Sequence, residues 1–218
     1  MNQGVCTRWS WVGLGGAYQP FGLTANRRLA LAIEHSDSWL GSDFSFTFAQ
    51  LTVDGHLKTF LKRRFAPNAL DWRLVAGYSR GQVPVQRLGS LEASMGLFSP
   101  FGVFRTMGGQ PYEGEHYLAL YWEHNFKAVP FEALGLWGLA QRGMGLVLHG
   151  ASGRTWIGGQ RRKTLGFKPR DVDAFHHEVG VSLVLYHLVR VVARGVWIGP
   201  IGVSGSVWRA LISPLSNS

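Results

Sequence analysis

Cysteine and long apolar runs are both scarce in this sequence. Its 218 residues include a single cysteine, Cys6, which excludes an internal disulfide framework and a cysteine metal cluster. A transmembrane helix needs about 20 consecutive apolar residues. The longest uncharged runs, 9–26 and 195–208, are interrupted by glycine, proline or polar residues. We therefore predict no membrane-spanning helix.

Acidic residues are few, because 13 Asp and Glu oppose 22 Lys and Arg and leave a net charge of +9. The basic residues cluster in 62–64 and in 161–170, which we interpret as solvated loops or as a rim that meets lipid or lipopolysaccharide phosphates. The sequence contains no recognition helix, RNA-binding strand motif or zinc finger. We therefore expect no nucleic-acid partner.

Charged residues make up only 16% of the chain, whereas there are 29 glycines and 13% aromatic residues. Glycine and aromatic residues are poor helix formers and suit strands and turns. A hydrophobic share of 46% excludes a disordered chain. This composition favours an all-β protein.

Residues 116–126 alternate strictly between two kinds of side chain, as expected for a strand with two different faces. One set is mostly apolar and the other is small or polar. A soluble β-sandwich has such strands, and so does a membrane barrel with one face toward lipid and one toward a polar lumen. The apolar set is His116, Leu118, Leu120, Trp122, His124 and Phe126, and the other is Tyr117, Ala119, Tyr121, Glu123 and Asn125.

Residues 43–53 alternate in the same way, with Phe44, Phe46 and Phe48 opposite smaller side chains. We predict that these three phenylalanines face hydrocarbon. The dipeptide Asp54-Gly55 that follows is typical of a tight hairpin turn, after which 57–65 is predicted to return as a new strand.

The whole chain is predicted to contain ten or eleven strands of eight to twelve residues. Strands of about 9–11 residues span a bilayer, whereas soluble strands average about five or six. We interpret 129–142, which does not alternate, as a short interfacial helix. Further strands are predicted at 9–19, 28–35, 70–79, 88–98, 143–156, 175–186, 188–197 and 201–211.

Three His/Glu groups were considered as metal or acid–base sites: Glu34-His35, Glu123-His124 and 176–178. Adjacent strand residues point to opposite faces and cannot bind one ion together. The glycine-rich stretches 13–16 and 150–155 lack the lysine and the strand–loop–helix context of phosphate loops. We predict no enzyme activity, no metal and no cofactor.

Arg105 lies in a glycine-rich loop ahead of the strand that carries Glu123. Its guanidinium could fold back into a barrel and pair with a carboxylate such as Glu123 or Glu178 as a bidentate strut.

Four short motifs give the chain a family resemblance: Gly-Val-Phe-Arg-Thr at 102–106, Glu-Gly-Glu-His-Tyr at 113–117, Glu-His-Asn-Phe at 123–126 and His-Glu-Val-Gly-Val-Ser at 177–182. With these motifs, the region 28–211 resembles the C-terminal barrel of the bacterial surface antigen family. That family belongs to the outer-membrane-protein assembly superfamily of BamA-like and TamA-like insertases.

This resemblance implies that residues 1–218 form an antiparallel transmembrane β-barrel domain, the last ten or eleven strands of a sixteen-stranded barrel. The start of the barrel and the periplasmic domains would then be absent, consistent with an N-terminus that lacks a secretory signal. Phe104, Arg105 and Thr106 would form the family's structural loop motif. Thr106 and Met107 stand where the family has glycine and an aromatic residue.

The resemblance also implies a bacterial outer-membrane location and a role in protein assembly, insertion or translocation. The partners would be the lipid bilayer, lipopolysaccharide, unfolded outer-membrane client proteins and accessory assembly subunits. Two alternatives remain open at this point: a passive pore or structural barrel, and a soluble β-sandwich binding module.

Overall fold

The structure is a computed structural model that describes residues 5–12, 16–19, 22–25, 27–60, 68–94, 101–107, 111–165 and 174–185. Most of these residues form antiparallel strands, which confirms the predicted all-β class. The strands predicted at 188–197 and 201–211 lie outside the described residues.

Seven strands form one continuous antiparallel sheet in the order β1-β4-β5-β6-β9-β10-β11. Six of them have ten or more residues, which agrees with the predicted long strands. The described part of the sheet is open, because β1 and β11 are its two ends and do not pair with each other. The strands are β1 (Val5–Val12), β4 (Arg27–Ser36), β5 (Phe46–Lys58), β6 (Ala69–Gly81), β9 (His116–Lys127), β10 (Met144–Trp156) and β11 (His176–Leu185).

The remaining elements are short. Two small sheets pair β2 (Gly16–Gln19) with β3 (Gly22–Ala25) and β7 (Gly89–Leu91) with β8 (Tyr112–Gly114). The predicted helix at 129–142 is present as two short helices, α1 (Val129–Ala133) and α2 (Trp137–Gln141), with Gly135 between them at φ 72°. A third helix, α3, covers Gly159–Thr164.

One side of the sheet, here named the apolar face, is lined by aliphatic side chains that register across the strands. In one row Leu29 pairs with Val53, Val53 with Leu74, and Leu74 with Leu120. Among the described residues no second layer covers this face, and Leu120 in its middle is 41% exposed. Other members of the face are Leu31, Ile33, Leu51, Ala76, Leu118, Leu148, Val179, Val181 and Leu183.

Polar side chains interrupt the apolar face on β10. Ser152 lies within 2.8 Å of His177, from its Oγ to the imidazole Nδ1. The Arg154 guanidinium lies 5.1 Å from the ring centre of Trp156, the last residue of the strand. Long cationic side chains commonly extend in this way from an apolar surface toward its polar edge.

Exposed aromatic side chains lie at both ends of the apolar face. At the helix end, defined as the strand termini beside α1 and α2, Phe60 and Trp137 are exposed. At the opposite loop end, Trp39, Tyr78 and Phe175 are exposed. The aliphatic rows lie between these two aromatic groups.

The other side of the sheet, here named the loop face, is polar and covered. The covering loop, residues 89–94 and 101–107, crosses it and contributes the largest fully buried side chains, among them Leu91, Phe104 and Met107. These pack with Tyr117, Ala119, Tyr121 and Ala151 into the hydrophobic core. The core therefore lies between one sheet and one loop.

The prediction that three phenylalanines face hydrocarbon is wrong. Phe46 is only 3% exposed and Phe48 packs against the core on the loop face, 6.5 Å from the ring of Tyr117. Phe44 precedes β5 and lies outside any strand. The phenylalanines share their face with Gln50, Thr52 and Asp54, so the polarity of the whole strand decides its orientation.

The predicted hairpin at Asp54-Gly55 is also wrong, because both residues lie inside β5, which runs on to Lys58. The Asp54 carboxylate pairs with Arg73 across the sheet, and Gly55 lies under the Trp72 ring. A Cβ at Gly55 would be 2.3 Å from the indole. An aromatic ring over a cross-strand glycine supports the sheet where the glycine has no side chain to pack.

Candidate functional site

Phe104 holds the covering loop in place. Its side chain is fully buried, and its ring centre lies 5.1 Å from that of Tyr121 and 5.5 Å from that of His176. Its backbone is bound on both sides, since Phe104 N donates to Glu92 O at 2.9 Å and Ser94 N donates to Phe104 O at 2.8 Å. These contacts therefore fix the backbone of the covering loop at the residue before Arg105.

Arg105 and its two predicted carboxylate neighbours are brought together. The guanidinium Nη2 lies 3.6 Å from Oε2 of Glu123, and both side chains are largely buried. At that distance the contact is an ion pair rather than a short charge-assisted hydrogen bond. Burial lowers the pKa of Arg105, and the Glu123 and Glu178 charges oppose that shift, so the group stays protonated.

The Glu178 carboxylate binds the backbone of the covering loop. The Arg105 amide N lies 3.1 Å and 3.0 Å from the two carboxylate oxygens, and Thr106 N donates to Oε2 at 3.1 Å. Glu178 itself is 5% exposed. A buried carboxylate that accepts backbone N–H groups is a strong anchor, because each hydrogen bond is charge-assisted. The predicted guanidinium strut therefore reaches Glu123, whereas Glu178 holds the peptide backbone.

Thr106 and Met107, the two residues that follow Arg105, both have partners. Thr106 Oγ1 lies 2.6 Å from Nε2 of His176, two residues before Glu178 on the same face of β11. Met107 is 1% exposed and belongs to the core. His176 was missed as a loop contact by the sequence analysis. The period-two spacing of His176 and Glu178 is the signal that could have found it.

Arg73 on β6 is a second positively charged residue that supports the covering loop. Arg73 binds Asp54 through two contacts, Nε to Oδ1 at 2.6 Å and Nη2 to Oδ2 at 3.2 Å. Its guanidinium carbon also lies 5.4 Å from the ring centre of Phe101, within cation–π range. Neither contact was predicted, because the sequence shows Asp54 and Arg73 only as residues of separate segments.

A polar cavity of about 220 Å³ lies between the covering loop and the loop face. Its walls carry charges of both signs, from Arg28 and Arg73 on the sheet and Glu92 on the loop. The hydroxyl-bearing side chains of Thr52, Tyr117 and Tyr121 complete the lining named here. Such a cavity suits water or small polar solutes.

The seat of Phe104 gives a first prediction. A Cβ at Gly153 on β10 would lie 2.7 Å from Phe104 Cζ and 2.9 Å from Leu91 Cδ1, two side chains buried in the core. We expect Gly153→Ala to lower the free energy of unfolding by about 1–3 kcal/mol, measured by urea unfolding.

The matched control is Gly138→Ala in α2, where an added Cβ meets nothing within 4 Å. Because alanine favours helix, this change should be neutral or stabilising by up to about 1 kcal/mol. Equal destabilisation by both substitutions would contradict the packing of Phe104 against β10.

Metal-binding geometry is absent from the part of the chain that the structure describes, where no group of three or more His, Cys, Asp or Glu side chains could hold an ion. None of the helices among the described residues is long and apolar enough to cross a membrane.

No family model matches the chain, and no curated protein matches it either. The class that the fold and the site define is thus an all-β protein with one long-stranded antiparallel sheet, whose polar face is crossed by a loop anchored at Phe104, Arg105 and Thr106.

Proposed function

We propose that this chain is a transmembrane β-barrel domain of the bacterial outer membrane that assembles, inserts or translocates outer-membrane proteins without a chemical step. The observation that carries the membrane assignment is the apolar face. Its aliphatic rows are uncovered among the described residues and lie between two groups of exposed aromatic side chains. An apolar band flanked by aromatic girdles is the outward surface of an outer-membrane barrel.

The loop face supports the same assignment from the other side. Its buried side chains include Asp54, Asp71, His149 and Glu178, a set suited to a polar lumen rather than to the centre of a soluble sandwich. A sandwich would bury its apolar sides between two sheets. Here the apolar face has no such layer among the described residues, so the sandwich is the weaker alternative.

The role in protein assembly rests on the resemblance of the loop motif and on its anchoring. Arg105 is held at both its side chain and its backbone, so the motif is part of a rigid contact with β9 and β11. In the proposed mechanism, an edge of the sheet templates an incoming client strand by β-augmentation. The partners are the bilayer with its lipopolysaccharide, unfolded client barrels and accessory assembly subunits.

A passive pore is the second candidate, favoured by the polar cavity beneath the covering loop. In this case the covering loop would narrow a channel for small polar solutes, and the chain would not assist the insertion of other barrels.

The test uses vesicles that contain the full chain and a urea-denatured small client barrel. We expect the wild-type chain to accelerate client insertion several-fold over empty vesicles, read from the heat-sensitive gel mobility of folded barrels. Arg105→Met should leave the chain's own insertion intact, because Glu178 still binds the loop backbone, but should reduce client insertion to the empty-vesicle rate.

Arg80→Met, at an exposed position near the end of β6, is the control and should insert clients like wild type. Acceleration by wild type and Arg105→Met alike would overturn the role of Arg105. If no vesicle-embedded form accelerates insertion, the passive pore is the better description.

A further inference from the structure

The helix end of the apolar face contains a groove of about 340 Å³ between β4, β5 and β6. Trp72, whose indole covers Gly55, forms one wall of the groove. Leu29 and Leu57 add apolar side chains that are partly exposed. The groove thus offers an aliphatic and aromatic surface wide enough for part of a hydrocarbon chain.

Positive charge lies at the mouth of this groove. Arg27 is the register partner of Gly55, is exposed, and lies on the same face of β4 as Leu29. The carboxylate nearest in register, Asp54, is already paired with Arg73. The mouth therefore presents the Arg27 guanidinium to an anion.

Connection lengths place the helix end relative to the two membrane surfaces. Between strands of the main sheet, the loop-end connections 82–115 and 157–175 are longer than each helix-end connection, 13–26, 59–68 and 128–143, whereas the loop-end connection 37–45 is shorter. In outer-membrane barrels the long connections are extracellular and the short ones periplasmic. On the proposed function, the groove opens toward the phospholipid leaflet, not toward lipopolysaccharide.

We propose that this groove binds an anionic glycerophospholipid, with the phosphate at Arg27 and an acyl chain against Trp72, Leu29 and Leu57. Guanidinium groups bind phosphate oxygens in a bidentate manner, and indole rings prefer the boundary between headgroups and hydrocarbon. The inference rests on the proposed membrane insertion and adds a lipid class and a site to it.

The test measures tryptophan quenching by brominated lipids in phosphatidylcholine vesicles that contain the full chain. Brominated phosphatidylglycerol and brominated phosphatidylcholine are compared at the same low mole fraction. A cationic side chain at the surface corresponds to about fivefold local enrichment of an anionic lipid, so we expect clearly stronger quenching by phosphatidylglycerol. This preference should decrease at high salt.

Arg27→Gln and Trp72→Phe should each remove most of the preference, whereas the control Arg80→Gln near the loop end should retain it. Equal quenching by both lipids, or equal loss in Arg27→Gln and Arg80→Gln, would overturn the site. Displacement by lipid A at lower mole fractions than by unlabelled phosphatidylglycerol would overturn the lipid class.

The same experiment separates this inference from the proposed function. If vesicles made wholly of brominated phosphatidylcholine fail to quench any tryptophan, the membrane assignment itself fails. If they quench strongly but phosphatidylglycerol shows no advantage, the chain is embedded and only the groove proposal is wrong.

Discussion

Replacing Leu120 with arginine should destabilise the vesicle-embedded chain by about 2–4 kcal/mol. Leu120 lies near the middle of β9 on the apolar face, in register with Leu74 and Ser152 on the neighbouring strands. An arginine on the lipid side of a barrel strand costs this much at the bilayer midplane. The measurement is the free energy of unfolding in urea from phosphatidylcholine vesicles.

Leu57→Arg is the matched control, because Leu57 is an exposed leucine of the same face at the helix end of β5. Near the interface the same substitution costs only about 0–1 kcal/mol. The difference between the two variants therefore reports depth in the membrane.

This pair of variants also distinguishes the membrane barrel from a soluble protein. Leu120 and Leu57 are 41% and 50% exposed, so in water both substitutions would be surface changes within about 0.5 kcal/mol. Two small and equal effects, together with a folded chain in detergent-free buffer, would contradict the membrane assignment.

Alternation predicted the long strands of the main sheet but only partly their orientation, and of the strand predicted at 88–98 the described part contains only β7 (Gly89–Leu91). For 116–126 the two faces differ along the whole segment, and the predicted sets match the two sides of β9. For 43–53, the predicted orientation was based on the three phenylalanines and not on the polar residues that follow on the same side of the strand. Aromatic side chains are also what a covering loop packs against, as Phe48 and Tyr117 do here, so aromatic content alone does not identify the lipid side.

The hairpin error has a similar physical cause. An Asp-Gly pair is a strong turn signal when only local conformation is considered. In β5, however, Asp54 gains a buried partner in Arg73, and Gly55 gains the Trp72 ring. Both contacts come from residues of β6, which lie outside the local sequence around Asp54-Gly55. Contacts between the two strands therefore override the local turn propensity.

The residues of the site could be predicted from the sequence, but the contacts between them could not. Arg105 stood out as a loop cation, and Glu123 and Glu178 as carboxylates on the polar sides of long strands. Which atoms meet depends on the register of β9, β10 and β11, where Ala151 pairs with both Tyr121 and Glu178. Register is a property of strand pairs, and neither strand's own sequence contains it.

Glu178→Ala should destabilise the protein by about 2–4 kcal/mol, the second large effect that we expect. The substitution removes the acceptor of the Arg105 and Thr106 amides from a position that is 5% exposed. Each buried donor left without an acceptor costs about 1–3 kcal/mol, and relaxation of the loop recovers part of the sum. Urea unfolding in vesicles measures the global effect.

Amide hydrogen exchange of peptides that cover 101–107 supplies the local readout. These amides should exchange slowly in wild type and much faster in Glu178→Ala, because the two backbone N–H groups lose their partner. Glu178→Gln keeps one acceptor oxygen but no charge, so its loss of stability should be intermediate. Glu113→Ala on β8 changes a partly exposed carboxylate near the loop and should stay within about 0.5 kcal/mol.

The outcome also decides which part of Arg105 holds the loop. If Glu178→Ala frees 101–107 whereas Arg105→Met leaves its exchange slow, the backbone contacts are the anchor, and a loss of client insertion in Arg105→Met cannot be ascribed to a released loop. If instead Arg105→Met frees the loop and Glu178→Ala does not, the ion pair with Glu123 is the anchor, despite its 3.6 Å separation. In that case the loss of client insertion in Arg105→Met would follow from a released loop.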